Sequence, residues 1–154
     1  MSLGRLTDSG RAPGRLTIRE FLDTDRDALR EVFLAAREDA SVWMTPDMHR
    51  LHDFDQSTAG EWIAVALWDS VPVAFASIWE PESFVHNLFV RPAFQGHGIG
   101  TALLRVCEAH LSSRATLKCL VANRVAQRFY LARGWRMLSE GVGPEGPYVL
   151  MGTG

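Results

Sequence analysis

Gln95-Gly96-His97-Gly98-Ile99-Gly100 is the stretch on which the reading of this chain turns. Before it, residues 83–90 read as a strand, and Pro92 ends it. After it, Ile99, Leu103, Val106 and Leu111 form one apolar stripe on a helix over residues 98–111. A strand, a glycine-rich turn and a helix make a general device for holding an anion. Glycine lets the backbone approach closely, the first amides of the helix are free to donate to phosphate oxygens, and the helix dipole adds a smaller term. Two familiar versions are excluded. A Walker loop ends in Gly-Lys-Ser/Thr, and the one lysine in the chain is Lys118. A dinucleotide fingerprint starting at Gly96 needs a small residue at Thr101, and one starting at Gly98 needs it at Leu103. The loop also follows four strand-like segments, not the first.

Working outward, residues 16–21 alternate as a strand, and Asp23-Thr24-Asp25 offers a helix cap with Asp27 three residues after Thr24. Leu29, Val32, Phe33 and Ala36 then recur at helical spacing, and Pro46 starts a short second helix through Leu51. Residues 62–67 and 71–79 read as strands around the turn Trp68-Asp69-Ser70. Residues 116–121 read as a buried strand, and 125–133 as a short helix stopped by Gly134. Residues 135–139 and 147–151 close the chain as two strands around a Gly/Pro loop. This order predicts an α/β fold, a mixed sheet with helices on its faces. Residues 1–14, with Gly4, Gly10, Pro13 and Gly14 among polar neighbours, read as a disordered leader, and residues 15–154 as one domain.

At 154 residues, with 47% hydrophobic and 22% charged, the chain suits a single core. No apolar run approaches the roughly 20 residues of a bilayer span, so no membrane role is expected. Cys107 and Cys119 sit in apolar stretches, which reads as reduced core cysteines in a cytoplasmic protein. The net charge of −2 hides a division. Over residues 38–90, nine acidic residues face Arg50 alone, and over 91–136, eight basic residues face Glu108 alone. Either two solvated faces or two poles for partners of opposite charge would produce this. No basic run with interleaved aromatics points to nucleic acid. His49-x-x-His52-Asp53-x-Asp55 lacks a further ligand motif, so no metal is expected.

The loop's Gln95, Gly98 and Gly100 match the three fixed positions of Gln/Arg-x-x-Gly-x-Gly/Ala, the signature of the GNAT superfamily of acetyltransferases. Leu88-Phe89-Val90-Arg91-Pro92 resembles that family's fourth strand, and Asn123, Phe129-Tyr130 and Gly134-Trp135 resemble its next motif. The resemblance implies a GNAT-like acyl-CoA N-acyltransferase fold, with a mostly antiparallel central sheet flanked by helices. It implies acetyl-CoA as cosubstrate, no metal, and transfer of the acetyl group to an amine acceptor. By the same resemblance Leu88, Phe89 and Val90 hold the pantetheine, and Gln95 with the amides of Gly96, His97, Gly98, Ile99, Gly100 and Thr101 holds the pyrophosphate. Arg91, Arg105, Arg124 and Arg128 are candidates to face the phosphates. Dimers are frequent in this family, and that analogy alone motivates a homodimer.

The family reaction is attack of a neutral amine on the thioester carbonyl, with a proton supplied to the departing thiolate. Tyr130 matches the family's tyrosine near the sulfur and is the expected acid; its plain alternative is a packed helix aromatic. Asn123 resembles a pantetheine or water contact, and equally a helix cap. Many members carry a carboxylate where this chain has Phe84, so the expected base is His86, which shares Phe84's face by strand alternation. Its alternative is a histidine bonded within the sheet. The acidic residues of 38–90 suit an acceptor that is cationic before deprotonation, with Trp43, Met44, His49, His52, Trp79 and residues 143–148 as candidate walls. An active N-acetyltransferase and a catalytically weak CoA-binding module on the same fold are the two functional readings.

Overall fold

A computed structural model describes residues 2–6, 14–40, 52–112 and 114–153. Its strands are β1 (Ser2–Leu6), β2 (Gly14–Glu20), β3 (Trp62–Trp68), β4 (Val71–Trp79), β5 (Phe84–Val90), β6 (Thr116–Leu120), β7 (Arg136–Gly143) and β8 (Gly146–Gly152). Its helices are α1 (Arg26–Ala40), α2 (Asp53–Ser57), α3 (Ile99–Leu111) and α4 (Arg124–Ala132). One sheet runs β1-β2-β3-β4-β5-β6-β8-β7, antiparallel throughout except for the β5–β6 pair. The predicted mixed α/β sheet with flanking helices is the one observed.

Alternation in the central strands sorts the core into two layers. Ala64 and Ala66 of β3, with Ala74, Ala76 and Ile78 of β4, face Ile99, Leu103, Leu104 and Cys107 of α3. Ile63, Val65 and Leu67, with Phe75, face Leu29, Val32 and Phe33 of α1 and Phe54 of α2. Phe54 and Phe75 are fully buried and meet edge to face at 5.1 Å. Each such ring contributes roughly 1.5–3 kcal/mol by leaving water. Asp69 and Ser70 both take left-handed conformations (φ 50° and 70°), giving the tight turn that the strand twist of a β3–β4 hairpin favours.

Two expectations change, and a third falls outside the described residues. The disordered leader over residues 1–14 is corrected in part, because Ser2–Leu6 pairs with β2 and Gly14 already begins that strand. Gly14 suits that place: a side chain would run into the Trp68 ring. The cap before α1 is formed by Asp25, not Thr24, since the Asp25 carboxylate accepts from the Leu22 amide at 2.8 Å and from Arg19 at 2.7 and 2.9 Å. The short helix expected from Pro46 lies outside the described residues, and the helix that is present, α2, starts at Asp53. Asp55 binds it to α1 through Arg26 and Arg30, which hold that carboxyl down at about 2.

Candidate active site

The site grows from an irregularity in β5. Ser77 pairs with Asn87 and Ile78 with Val85, so His86 is an extra residue, a bulge against β4. A bulge re-aims the side chains around it. Val85 stays in the α3-side core, while Asn87 donates to Ser57 at 3.1 Å and Ser77 at 2.9 Å on the opposite layer. His86 turns the same way as Asn87 and meets Glu61 at 2.8 Å. Phe84 lies beside it, the two rings 6.0 Å apart.

β5 and β6 register only at Phe84 and Thr116, and beyond that point they diverge. The gap is a cleft of about 790 Å³. Leu88 and Phe89 line it from β5, Cys119 and Leu120 from β6, and Asn123 and Tyr130 from α4. β4 occupies one edge of β5 (Ala76 against Leu88, Phe75 against Phe89, Ala74 against Val90), which leaves the other edge facing the splay. Val90 itself does not line the cleft, and its carbonyl accepts from the Gln95 side chain at 3.2 Å.

The glycine loop lies at the start of α3. Gly96 and Gly98 have φ of +83° and +78°, and a side chain at either would stand in open space. Gly100 packs under Phe129, at 3.4 Å from where its side chain would begin. Among the described residues, the amides of Gly96, His97, Gly98, Ile99, Gly100 and Thr101 have no acceptor in the protein; the first committed amide is that of Ala102, which donates to Gly98. Six uncommitted donors around an open, glycine-shaped cradle fit a diphosphate. His97 contributes its amide but not its ring, which contacts the carbonyls of Phe94 and Gln95 at 3.1 Å and stands edge-on to Trp68.

Tyr130 is half-buried between Phe129 and Trp135, and among the described residues its hydroxyl has no hydrogen-bond partner. Burial, with Cys119 and Cys107 nearby, pushes the phenol well above its usual value, so it stays protonated. Asn123 caps α4, accepting from the Ala126 amide at 3.1 Å, and lines the cleft from that position. The two cysteines are free and buried, and desolvation pushes Cys107 to about 12 and Cys119 to about 11. Neither is a nucleophile at neutral pH.

His86 is 42% exposed, whereas the Glu61 side chain beneath it is 7% exposed. Glu61 raises the imidazole above its ordinary value against the opposing effect of burial, and the Ser57 carbonyl and Glu145 add to the rise. Glu61 was not legible in sequence: it sits between Gly60 and Trp62 with no motif around it. Arg133 was also missed. It donates to the Thr101 hydroxyl at 2.6 Å and to the Phe129 carbonyl at 2.9 Å, and lies over the Phe129 ring, placing a cation beside the first turn of α3. Among the four arginines expected to face phosphates, Arg105 is engaged with Glu108 at 2.8 Å, and Arg124 and Arg128 are exposed.

Part of the expected acidic wall is engaged by basic side chains within the protein. Asp53 pairs with Arg37, Asp55 with Arg26 and Arg30, Glu61 with His86, and Glu80 with His110. The cleft is lined by Phe33, Asp53, Ser57 and Lys118, and by Pro144, Glu145 and Tyr148 of the expected 143–148 segment. Trp43, Met44 and His49 lie outside the described residues, and His52 is exposed beside Asp55. Among the described residues, no three His, Cys, Asp or Glu side chains gather as a metal site, and no helix is long and apolar enough to cross a membrane.

The sequence model of the acetyltransferase (GNAT) family matches residues 26–135. No curated protein matches the chain. Solved structures share its fold at low identity. The PaiA N-acetyltransferase of Thermoplasma acidophilum, in complex with coenzyme A, has a TM-score of 0.77 at 16% identity, over 90% of this chain and 98% of that one. A GCN5-related N-acetyltransferase from Rhodopseudomonas palustris has a TM-score of 0.75 at 20% identity, over 89% and 94%. YncA of Salmonella typhimurium, with its cofactor acetyl-CoA, has a TM-score of 0.66 at 20% identity, over 89% and 92%.

Proposed function

This chain belongs to the acetyltransferase (GNAT) family, and on that premise we propose that it moves the acetyl group of acetyl-CoA to a primary amine by direct attack. The observation that carries the reading is the set of six uncommitted amides at residues 96–101, where Gly100 lies close to Val90 at the end of β5, together with a splay that Tyr130 lines. The pyrophosphate is held by those amides, with Gln95 fixing the loop to Val90 and Arg133 adding charge through Thr101. The pantetheine runs along the free edge of β5 at Leu88, Phe89 and Val90, past Asn123.

The acceptor enters from the side of Ser57, Lys118 and Tyr148. Its nitrogen attacks the thioester carbonyl and forms the C–N bond, and its surplus proton passes to His86. The C–S bond then breaks, and the thiolate takes a proton from the Tyr130 hydroxyl. Because burial disfavours the phenolate, Tyr130 recovers a proton from water once product leaves, and His86 returns the amine's proton to water, which restores both groups. Phe84 stands where many relatives hold a carboxylate, and this favours the second reading, a CoA-binding module of weak activity.

A panel of primary amines (polyamines, amino acids, and peptides offering an α-amine or a lysine) separates the two readings. Each is incubated with the protein and acetyl-CoA while free thiol and acetylated product are measured. Transfer to at least one class is expected. Binding of CoA with thiol release no faster than hydrolysis across the panel would leave only the binding module.

A further inference from the structure

We propose that Glu61 is a positioning residue for this cleft: its buried carboxylate holds the His86 imidazole at the β5 bulge through Nδ1, leaving Nε2 as the nitrogen that exchanges a proton with the acceptor. The inference rests on the reading of His86 as the group that takes the amine's proton.

Three observations carry it. Glu61 Oε2 lies 2.8 Å from His86 Nδ1, and the Glu61 side chain is 7% exposed. Its other oxygen, Oε1, is buried without a hydrogen-bond partner among the described residues. Burying a carboxylate that is only half satisfied is costly, and a purely structural position would be filled as well by an amide or an apolar group. His86 is its one ionic partner among the described residues, so the carboxylate's charge is balanced only by the imidazolium. The bulge supplies the third observation, because the extra residue in β5 is what brings His86 onto Glu61's side of the sheet.

The other groups around the ring act in the same direction or stand apart. The Ser57 carbonyl of α2 and Glu145 of the β7–β8 turn both favour the imidazolium. Asn87 beside it is neutral, Arg37 is paired with Asp53 across the cleft, and Lys118 lies over Phe84 and Tyr148. As the amine attacks, its proton moves to Nε2 while the other proton stays on Nδ1, hydrogen-bonded to the Glu61 carboxylate, as carboxylate-oriented histidines behave elsewhere. His86 thus becomes a base only above its ordinary value near 6.5, and removing the Glu61 charge lowers that threshold.

The test compares the wild type with Glu61→Gln, Glu61→Asp and His86→Gln. His86 is titrated by NMR in the free protein, and kcat/KM for an acceptor from the panel is followed against pH. In Glu61→Gln the His86 titration is expected to fall by roughly one unit or more. The acidic limb of the rate profile should fall with it, KM for acetyl-CoA should stay constant, and Glu61→Asp should restore part of both shifts. A His86 titration unmoved in Glu61→Gln overturns the inference, even while loss of the limb in His86→Gln keeps His86 as base. A titration that shifts beneath an unmoved limb overturns it differently: His86 is then not the base, and Glu61 positions nothing for the reaction. Should Glu61→Gln fail to fold, the Glu61→Asp titration decides by the same criterion.

Discussion

Tyr130 combines a polar hydroxyl with an almost wholly apolar setting. Its ring packs on Phe129 and Trp135, yet its hydroxyl is committed to no group among the described residues. A hydroxyl that is unbonded and opens onto the cleft is available to an atom bound there. Removing that oxygen therefore separates chemistry from folding. In Tyr130→Phe, kcat is expected to fall on the order of ten- to a thousandfold, while calorimetry should find acetyl-CoA affinity and thermal stability nearly unchanged. Unchanged turnover would assign the acid role elsewhere. Tyr130 could be singled out from the family motif around it, and His86 from its spacing to Phe84; both line the cleft. Glu61 could not be singled out, since a carboxylate between Gly60 and Trp62 reads as an ordinary surface residue until β3 and β5 are brought together. Asn123 is the helix cap that the sequence allowed, and it also lines the cleft.

At the scale of the element, the glycine loop does two things with one conformation. Positive φ at Gly96 and Gly98 turns the chain into α3, and the missing side chains keep the cradle open. Gly98→Val should destabilise the fold by about 1–2 kcal/mol through backbone strain and raise the acetyl-CoA Kd roughly tenfold or more by filling the cradle. Gly134, at φ +92° between α4 and β7, is the control. Gly134→Val should lose similar stability and keep its affinity, and equal losses of affinity in both would mean that the loop only shapes the fold. The loop was readable because a need for positive φ is written as glycine. The β5 bulge and the place of β8 between β6 and β7 were not, because register and strand order are properties of pairs of segments. The cap of α1 was misread by one residue for a related reason, as Asp25 serves both the Leu22 amide and Arg19 of a neighbouring strand.

In the whole molecule, part of the acidic half of the chain serves to bind elements together, Asp53 and Asp55 joining α2 to α1. Among the described residues, the cleft where β5 and β6 part runs past His86 and Tyr130, and the uncommitted amides lie at the start of α3, close to Val90 at the end of β5. That arrangement makes a definite forecast of where acetyl-CoA lies. Hydrogen exchange followed with and without acetyl-CoA, alongside calorimetric proof of binding, measures it directly. Slowed exchange concentrated at the amides of residues 96–101 and along β5 from Leu88 to Val90 is the expected result. Binding that leaves those amides exchanging at their free rates would contradict it.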